Sequence, residues 1–275
     1  MTWVYLDGAF VPAAEARVAA TDAGLLYGRG LFETFRARRG VAYRLECHLR
    51  RLRGGAQVIG IPMPEQLARL PEIVRELAER CELGDARMRL TVTAGPEGGR
   101  PAMLLQARPA TDYPAEVYER GITAVVVSVR RNETSPLARV KSLNHLDNLL
   151  AREEARRAGA DEALLLNTRG LLAEASTSNV FLVREGKVLT PPVADGALPG
   201  ITRGAVLELP QAAGVSVGET TLTMDDLRRA DEAFLTNAVA GVLPLVSVDG
   251  QNVGTGMPGE ITVRLGQLYT TAAEA

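Results

Sequence analysis

Residues 141–155 read KSLNHLDNLLAREEA, and the chain continues with LAEASTSNVF at 172–181 and LPGITR at 198–203. A lysine is normally a solvated surface residue, because burial of its charge is costly unless its pKa falls and it becomes a nucleophile. Lys141 gains significance from the later blocks, which bring a carboxylate at Glu174 and a glycine turn that opens a helix. These three blocks therefore predict an anion-binding enzyme site with a reactive lysine.

Short strands and helices alternate on both sides of these blocks, which predicts an α+β protein. Turn signals at Asp7-Gly8 and Arg39-Gly40 predict two hairpins near the N-terminus. The predicted helices are Glu46–Ile59, Pro64–Arg80, Asn144–Gly159, Thr202–Ala213 and Pro258–Thr271. The other predicted strands are Leu31–Arg36, Val41–Leu45, Arg87–Thr93, Ala102–Arg108, Gly121–Arg130, Glu162–Leu166, Asn179–Val183, Lys187–Leu189, Glu232–Leu235 and Leu245–Val248.

A polar stretch over Pro109–Arg120 interrupts this pattern and indicates a boundary between two domains. We expect a smaller N-terminal α+β domain over residues 1–115 and a larger C-terminal domain over residues 121–275. The linker is expected at about residues 113–120.

Composition narrows the function classes. The net charge of −2 provides no field for nucleic acid or an anionic membrane. Cys47 and Cys81 lack metal-ligand spacing and fit free thiols in a reducing compartment, and no metal site is expected. Neither a signal peptide nor a long apolar run is visible, so a cytoplasmic enzyme is expected.

In their order and spacing, the three blocks resemble the signature of class IV aminotransferases, and the resemblance covers nearly the whole chain. It implies a fold-type IV enzyme of two α+β domains, with pyridoxal 5′-phosphate in the cleft between them. Lys141 would carry the cofactor as a Schiff base. The family resemblance also implies amino acid and 2-oxo acid substrates and a homodimer with the active site at the subunit interface.

The resemblance assigns four residues to the cofactor besides Lys141. Glu174 would face the pyridinium nitrogen and keep it protonated, so that the ring withdraws electrons. Ile201 and Thr202 would bind the phosphate at a helix N-terminus, where N–H groups are unpaired. Arg51, in the similar H-x-x-R-L segment, would bind it with a fixed guanidinium.

Two further groups of residues follow from the same segments. Thr236, Asn237 and Ala238 match a turn that closes over the phosphate, although an ordinary turn would read alike. On the helix that carries the phosphate-binding arginine, we expect Arg50 and Arg53 to be solvated. The same helix also carries His48, which is expected to be structural.

The block YGRGLFETFR at 27–36 resembles the family segment that surrounds the substrate. It assigns Tyr27, Phe32 and Thr34 to the substrate and gives Glu33 the role of orienting or tuning Lys141. Branched-chain enzymes usually have F-E-G here, and aminodeoxychorismate lyases have threonine where Thr34 stands. The block is a mixture and leaves the substrate open.

Two arginines, Arg29 and Arg89, are suited to bind a substrate carboxylate. The arginine-histidine trap usual in D-amino-acid enzymes is absent from the loop AGPEGGRPA, so these arginines would take its place. We expect a transaminase that moves an amino group, preferably from a D-amino acid, to a 2-oxo acid such as 2-oxoglutarate. Arg29 would act in its own or in the neighbouring subunit's site.

Three alternatives remain open. A 4-amino-4-deoxychorismate lyase fits Thr34 and Arg89 and would release pyruvate without an amino acceptor. A branched-chain L-amino-acid aminotransferase is disfavoured by Thr34 in place of glycine. A non-catalytic protein of the same fold could bind an anion through Arg51 and Thr202, but the coincidence of Lys141 with Glu174 argues against it.

Overall fold

The computed structural model describes residues 2–110, 113–209 and 214–274. Its contacts divide the chain into two compact units, Met1–Thr111 with Val140–Asn144 and Asp112–Arg139 with His145–Ala275. Each unit contains a sheet with helices, which confirms the α+β class. The segment around Lys141 belongs to the first unit, although the chain reaches it after the first strand of the second.

A six-stranded sheet with the strand order β2-β1-β6-β5-β3-β4 forms the base of the first unit. Both predicted hairpins are confirmed, and their turns at Asp7-Gly8 and Arg39-Gly40 have positive φ at both residues, as two-residue hairpin turns require. The strands are β1 Trp3–Leu6, β2 Ala9–Pro12, β3 Gly30–Arg38, β4 Val41–Ala42, β5 Asp85–Thr93 and β6 Ala102–Pro109.

The helices of this unit are α1 Ala23–Tyr27, α2 Leu45–Ile59 and α3 Leu70–Arg80. One continuous helix over Pro64–Arg80 was predicted, and this is wrong in part, because Glu65–Arg69 form a separate 3₁₀ turn. Pro71 explains the break: its fixed φ and missing N–H are tolerated only in the first turn of an α-helix.

Strand β3 separates the core of this unit from a polar face. Leu31 and Phe35 pack in the core with apolar residues of α2 and α3. Successive side chains alternate across a strand, so Phe32, Thr34 and Arg36 lie on the other face. This alternation gives β3 two different sets of neighbours for chemistry.

The second unit contains a nine-stranded sheet with the order β12-β11-β10-β13-β14-β7-β8-β9, in which β15 also pairs with β14. Its strands are β7 Ile122–Arg131, β8 Glu162–Asn167, β9 Leu172–Ala175, β10 Asn179–Arg184, β11 Lys187–Thr190, β12 Ser216–Glu219, β13 Glu232–Asn237, β14 Gly241–Val248 and β15 Gln251–Asn252. Its helices are α4 Ala115–Arg120, α5 Leu146–Arg157, α6 Ile201–Glu208, α7 Met224–Arg228 and α8 Glu260–Glu274.

Several boundaries differ from the sequence predictions. Helix α4 occupies most of the stretch that we expected to be a linker. The helix predicted over Thr202–Ala213 is α6, and residues 210–213 lie outside the described residues. No helix in the described part of the chain is long and apolar enough to cross a membrane.

The predicted turn at 236–238 needs correction, because its first two residues belong to β13. Thr236 pairs with Asn179 on β10 and with Val242 on β14, so it has a strand on either side. The β-branched side chain of threonine suits such a position.

Candidate active site

Lys141 lies on a short extended segment that is hydrogen-bonded to the start of β3. Phe32 N donates to Lys141 O at 2.9 Å, and Leu143 N donates to Gly30 O at 2.9 Å. These bonds fix the backbone on both sides of the lysine. Its Nζ lies 4.5 Å from the centroid of the Phe32 ring.

A second cation contacts the same ring. Arg89 Cζ lies 3.8 Å from the Phe32 centroid, and Arg89 pairs with Thr34 across β3 and β5. Burial lowers the pKa of the Arg89 guanidinium, and the charge of Arg87 lowers it further. Phe32, Thr34, Arg89 and Lys141 are thus brought together, and the two cations beside one ring form an environment that attracts anions.

The carboxylate of Glu33 lies buried on the opposite face of β3. Arg51 donates to it from Nε at 2.8 Å and from Nη2 at 2.6 Å, and His48 Nδ1 lies 2.7 Å from Oε2. Burial alone would raise the pKa of Glu33, but the charge and hydrogen bonds of Arg51 and His48 outweigh this and lower it to about 2.

This cluster revises the roles expected along α2. Burial lowers the pKa of His48, so the imidazole is neutral at neutral pH and donates to Glu33. Arg51 has a side chain only 11% exposed, whereas Arg50 and Arg53 are exposed as predicted. Glu33, which we expected to orient Lys141, holds Arg51 and His48.

Tyr27 and Arg29 occupy more exposed positions. The Tyr27 side chain is 75% exposed at the end of α1. Arg29 donates from Nη2 to Gly60 O at 2.8 Å and from Nε to Ile59 O at 3.4 Å. Carbonyls at the C-terminus of a helix favour such a cation, so these bonds hold Arg29 against the end of α2.

In the second unit, Glu174 is buried on β9 and has two close partners. Arg131 Nε lies 3.0 Å from Oε1, and Leu198 N donates to Oε2 at 2.8 Å. Arg131 also donates to the carbonyls of Gly196 and Ala138. We did not predict Arg131, because its position at the end of β7 gives no sign of the partner 43 residues later in the chain.

The segment over residues 193–200 connects this carboxylate to helix α6. While Leu198 N donates to Glu174, Leu198 O accepts from Asn179 Nδ2 at 2.9 Å. The buried side chain of Asp195 accepts from Thr221 Oγ1 at 2.7 Å and from Arg169. A Cβ at Gly200 would lie 2.0 Å from Asn179 Oδ1, so only glycine fits where the segment enters α6.

Ile201 and Thr202 form the first turn of α6. Gly200 provides no side-chain cap, and N–H groups in a first helical turn have no partner within the helix. Thr202 is buried, and its Oγ1 lies 3.2 Å from Tyr269 Oη. This arrangement is suited to bind an anion, since the N-terminal end of a helix dipole is positive.

The hydroxyl of Thr236 points to a missing partner. Thr236 is 2% exposed, and among the described residues its Oγ1 has no hydrogen-bond partner. A buried hydroxyl without a partner costs free energy, so a ligand that accepts its proton would relieve this cost. Helix α6 packs against β13, the strand that carries Thr236.

Asn237 is engaged in shaping the end of its own strand. Its Nδ2 donates to Ser178 Oγ at 3.1 Å and to Tyr113 Oη at 3.3 Å, and its Oδ1 accepts from the backbone N–H groups of Val239 and Ala240. The Asn237 side chain therefore fixes the turn that contains Ala238.

These groups fit pyridoxal 5′-phosphate. Glu174 is a carboxylate that can accept from the ring nitrogen, and Arg131 balances its charge. The first turn of α6 and the unpartnered hydroxyl of Thr236 are suited to a phosphate. In the first unit, Lys141 provides an amine and Arg51 a guanidinium held by Glu33.

Comparisons with known proteins give a consistent picture. The family model for amino-transferase class IV matches residues 30–248. A putative branched-chain-amino-acid aminotransferase of Methanocaldococcus jannaschii is 38% identical over 97% of this chain and 94% of its own. The branched-chain-amino-acid aminotransferase of Escherichia coli is 33% identical over 97% and 91%, and the D-alanine aminotransferase of Bacillus licheniformis is 32% identical over 94% and 93%.

Solved structures agree with these relatives. The crystal structure of the Escherichia coli branched-chain amino acid aminotransferase superimposes with a TM-score of 0.93 at 31% identity, covering 99% of this chain and 94% of that one. A branched-chain amino acid aminotransferase from T.th., solved with pyridoxamine 5′-phosphate, gives 0.92 at 29% identity with the same coverage. The chain therefore belongs to the class IV aminotransferases, a family of pyridoxal phosphate enzymes.

Proposed function

We propose that this protein transfers the amino group of a branched-chain L-amino acid to a 2-oxo acid such as 2-oxoglutarate. The observation that carries the proposal is the similarity, over 97% of this chain, to branched-chain aminotransferases of Methanocaldococcus jannaschii and Escherichia coli. It reverses the preference for a D-amino acid that we drew from the sequence. Thr34, which argued against a branched-chain substrate, is a single side chain and weighs less than similarity along the whole chain.

Lys141 is proposed to be the attachment point and the proton carrier. Pyridoxal 5′-phosphate, when bound, supplies an aldehyde that links to an amine and a ring that withdraws electrons. The backbone bonds of Lys141 to Phe32 hold the amine in one place, as transfer of a substrate α-proton requires. The sequence contains one other lysine, Lys187, which is exposed at the start of β11.

Arg51, Thr202 and Thr236 are proposed to bind the phosphate, with the backbone at Ile201 and Ala238. The bidentate pair with Glu33 supports the first of these, because a guanidinium that is already fixed loses little freedom when it binds. The unpartnered hydroxyl of Thr236 supports the last.

Glu174 is proposed to accept a hydrogen bond from the ring nitrogen. Its two protein partners, Arg131 and Leu198 N, hold the carboxylate and balance its charge. A carboxylate so placed keeps the nitrogen protonated, which strengthens electron withdrawal when the α-proton leaves. Arg131 would act through Glu174.

The face that carries Phe32 suits two different substrates in turn. The ring offers an apolar surface for a branched side chain, and Arg89 at 3.8 Å offers a cation for a carboxylate of the 2-oxo acid. Thr34 pairs with Arg89 and lies on the same face. A transaminase that alternates between an apolar amino acid and an acidic acceptor needs both surfaces.

A D-amino acid donor is the second candidate, favoured by the 32% identity to the D-alanine aminotransferase of Bacillus licheniformis. In that case Arg29 and Arg89 would hold the α-carboxylate, as the sequence suggested.

Self-association is proposed to cover an apolar surface. On α1, the side chains of Leu25, Leu26 and Tyr27 are 66%, 53% and 75% exposed. On α5, Leu146, Leu149 and Leu150 are each more than half exposed. Adjacent exposed apolar side chains of this kind mark interaction sites, and a homodimer would also bring Arg29 next to a second chain.

The test compares two donors. The purified holoenzyme is incubated with L-leucine or D-alanine, each with 2-oxoglutarate, and the oxo acid product is measured. We expect product from L-leucine. Product from D-alanine alone would establish the second candidate, and pyruvate released from 4-amino-4-deoxychorismate without an acceptor would establish a lyase.

Lys141 is tested with the other lysine as the matched control. Borohydride reduction of the holoenzyme, followed by peptide mapping, should place the cofactor on the peptide that contains Lys141. K141A should lose both the label and the activity, whereas K187A should retain both. A label on Lys187 would contradict the assignment.

A further inference from the structure

We propose that Tyr269 is a positioning residue that directs the hydroxyl of Thr202 towards the cofactor phosphate. The two hydroxyl oxygens lie 3.2 Å apart. The inference rests on the proposed role of Thr202 in phosphate binding and extends that site to the C-terminal helix α8.

Tyr269 is held firmly enough for this role. It is 9% exposed on α8, and its ring lies against Gly241, where a Cβ would be 2.9 Å from two ring carbons. Glu232 accepts from the N–H groups of Ile261 and Thr262 at the start of α8, at 3.0 and 2.8 Å. The helix is thus anchored at its start, and the ring is fixed by close packing near its end.

The direction of the hydrogen bond follows from proton counts. A threonine hydroxyl has one proton and two lone pairs, while phosphate oxygens act mainly as acceptors. If Thr202 donates its proton to the phosphate, its oxygen can only accept from Tyr269. Tyr269 therefore donates to Thr202, and the Thr202 hydroxyl donates onward to the phosphate.

This sequence of donors has two physical effects. Each hydrogen bond polarises the next one, which strengthens the bond from Thr202 to the phosphate. The phenol also opposes rotation of the threonine hydroxyl towards a backbone carbonyl of the preceding turn, a common alternative for threonine in helices. Tyr269 should therefore raise cofactor affinity without touching the cofactor.

The experiment measures cofactor affinity and not turnover. Apoenzyme is prepared from the full chain and titrated with pyridoxal 5′-phosphate for the wild type, Y269F, T202V and the double variant. Y269F keeps the ring and removes one neutral hydrogen bond, so the dissociation constant should rise about fivefold. In the T202V background the same change should have less than about a twofold effect, because its route to the phosphate is gone.

Two further variants make the result specific. T202S restores the hydroxyl, so Y269F should again cost about fivefold in that background. Y43F is the matched control, since the Tyr43 hydroxyl bonds Arg44 in the other unit at 3.0 Å, and its affinity should equal that of the wild type.

Each remaining outcome overturns the inference in a recognisable way. An unchanged affinity in Y269F refutes it. An equal loss in the wild-type and T202V backgrounds shows that Tyr269 acts on the fold and not through Thr202. An unchanged affinity in T202V refutes the inference together with the proposed phosphate role of Thr202.

Discussion

Replacing Glu33 with glutamine should destabilise the protein by roughly 3 kcal/mol at neutral pH. The figure comes from the pKa of Glu33, which lies at about 2 instead of its ordinary 4.5 because Arg51 and His48 favour its ionised form. Glu33 is fully buried, so solvent screening does not reduce this value. Glutamine keeps the shape of the side chain but leaves Arg51 without its buried counter-charge.

The assay is urea unfolding at pH 7, followed by the fluorescence of Trp3. Trp3 is the single tryptophan of the sequence and packs against the core of the unit that contains Glu33. The matched control is E46Q, because Glu46 also bonds an arginine of α2, Arg53, but its side chain is 66% exposed. An exposed pair contributes little, so E46Q should lie within about 1 kcal/mol of the wild type.

The pH dependence tests the cause of the effect. Because the pKa of Glu33 is lower in the folded state than in the unfolded state, its contribution is complete above pH 4.5 and is lost as the pH falls towards 2. The stability difference between the wild type and E33Q should therefore shrink across this interval. The reasoning is refuted if E33Q behaves like E46Q at pH 7, or if the difference does not change with pH.

Three further predictions concern the site and the assembly. R131M should weaken cofactor binding about tenfold and lower kcat, because Glu174 loses the cation that balances it, while R131K should recover part of both; unchanged values in R131M would speak against this role. R89M should raise KM for 2-oxoglutarate about tenfold or more and alter KM for L-leucine much less, since a charged hydrogen bond is lost only with the acidic substrate; equal effects on both would contradict it. L25E should reduce the particle mass in analytical ultracentrifugation, whereas V41E, at a residue 72% exposed on β4, should not; an unaltered mass in L25E would place the interface elsewhere.

The elements that the sequence predicts well have local causes. The hairpins at Asp7-Gly8 and Arg39-Gly40 follow from turn residues that accept positive φ, and α2 follows from apolar spacing along one helix. Strand β9 was missed because all four of its residues are buried, so it shows no alternation.

The parts of the site that were missed depend on distant contacts. Arg131 and Glu174 lie on different strands, and Tyr269 reaches Thr202 from the last helix of the chain. The family resemblance indicated Arg51 but not that Glu33 would hold it, because the bidentate geometry exists only after β3 and α2 pack together.

Substrate preference was the weakest sequence inference for a related reason. Phe32, Thr34 and Arg89 are compatible with several members of the family, and their side chains present both an apolar surface and a cation. A few residues of mixed character cannot rank such substrates, whereas similarity over the whole chain favours one group.

The path of the chain near Lys141 has a consequence for biosynthesis. The chain leaves the second unit after Arg139, contributes Val140–Asn144 to the first, and returns at His145. The reactive lysine is therefore encoded between two parts of one unit but acquires its backbone partners from the other, through Phe32 and Gly30. A fragment that begins after residue 111 would carry Lys141 without those partners, so the lysine should become competent to hold the cofactor only when the N-terminal unit has folded.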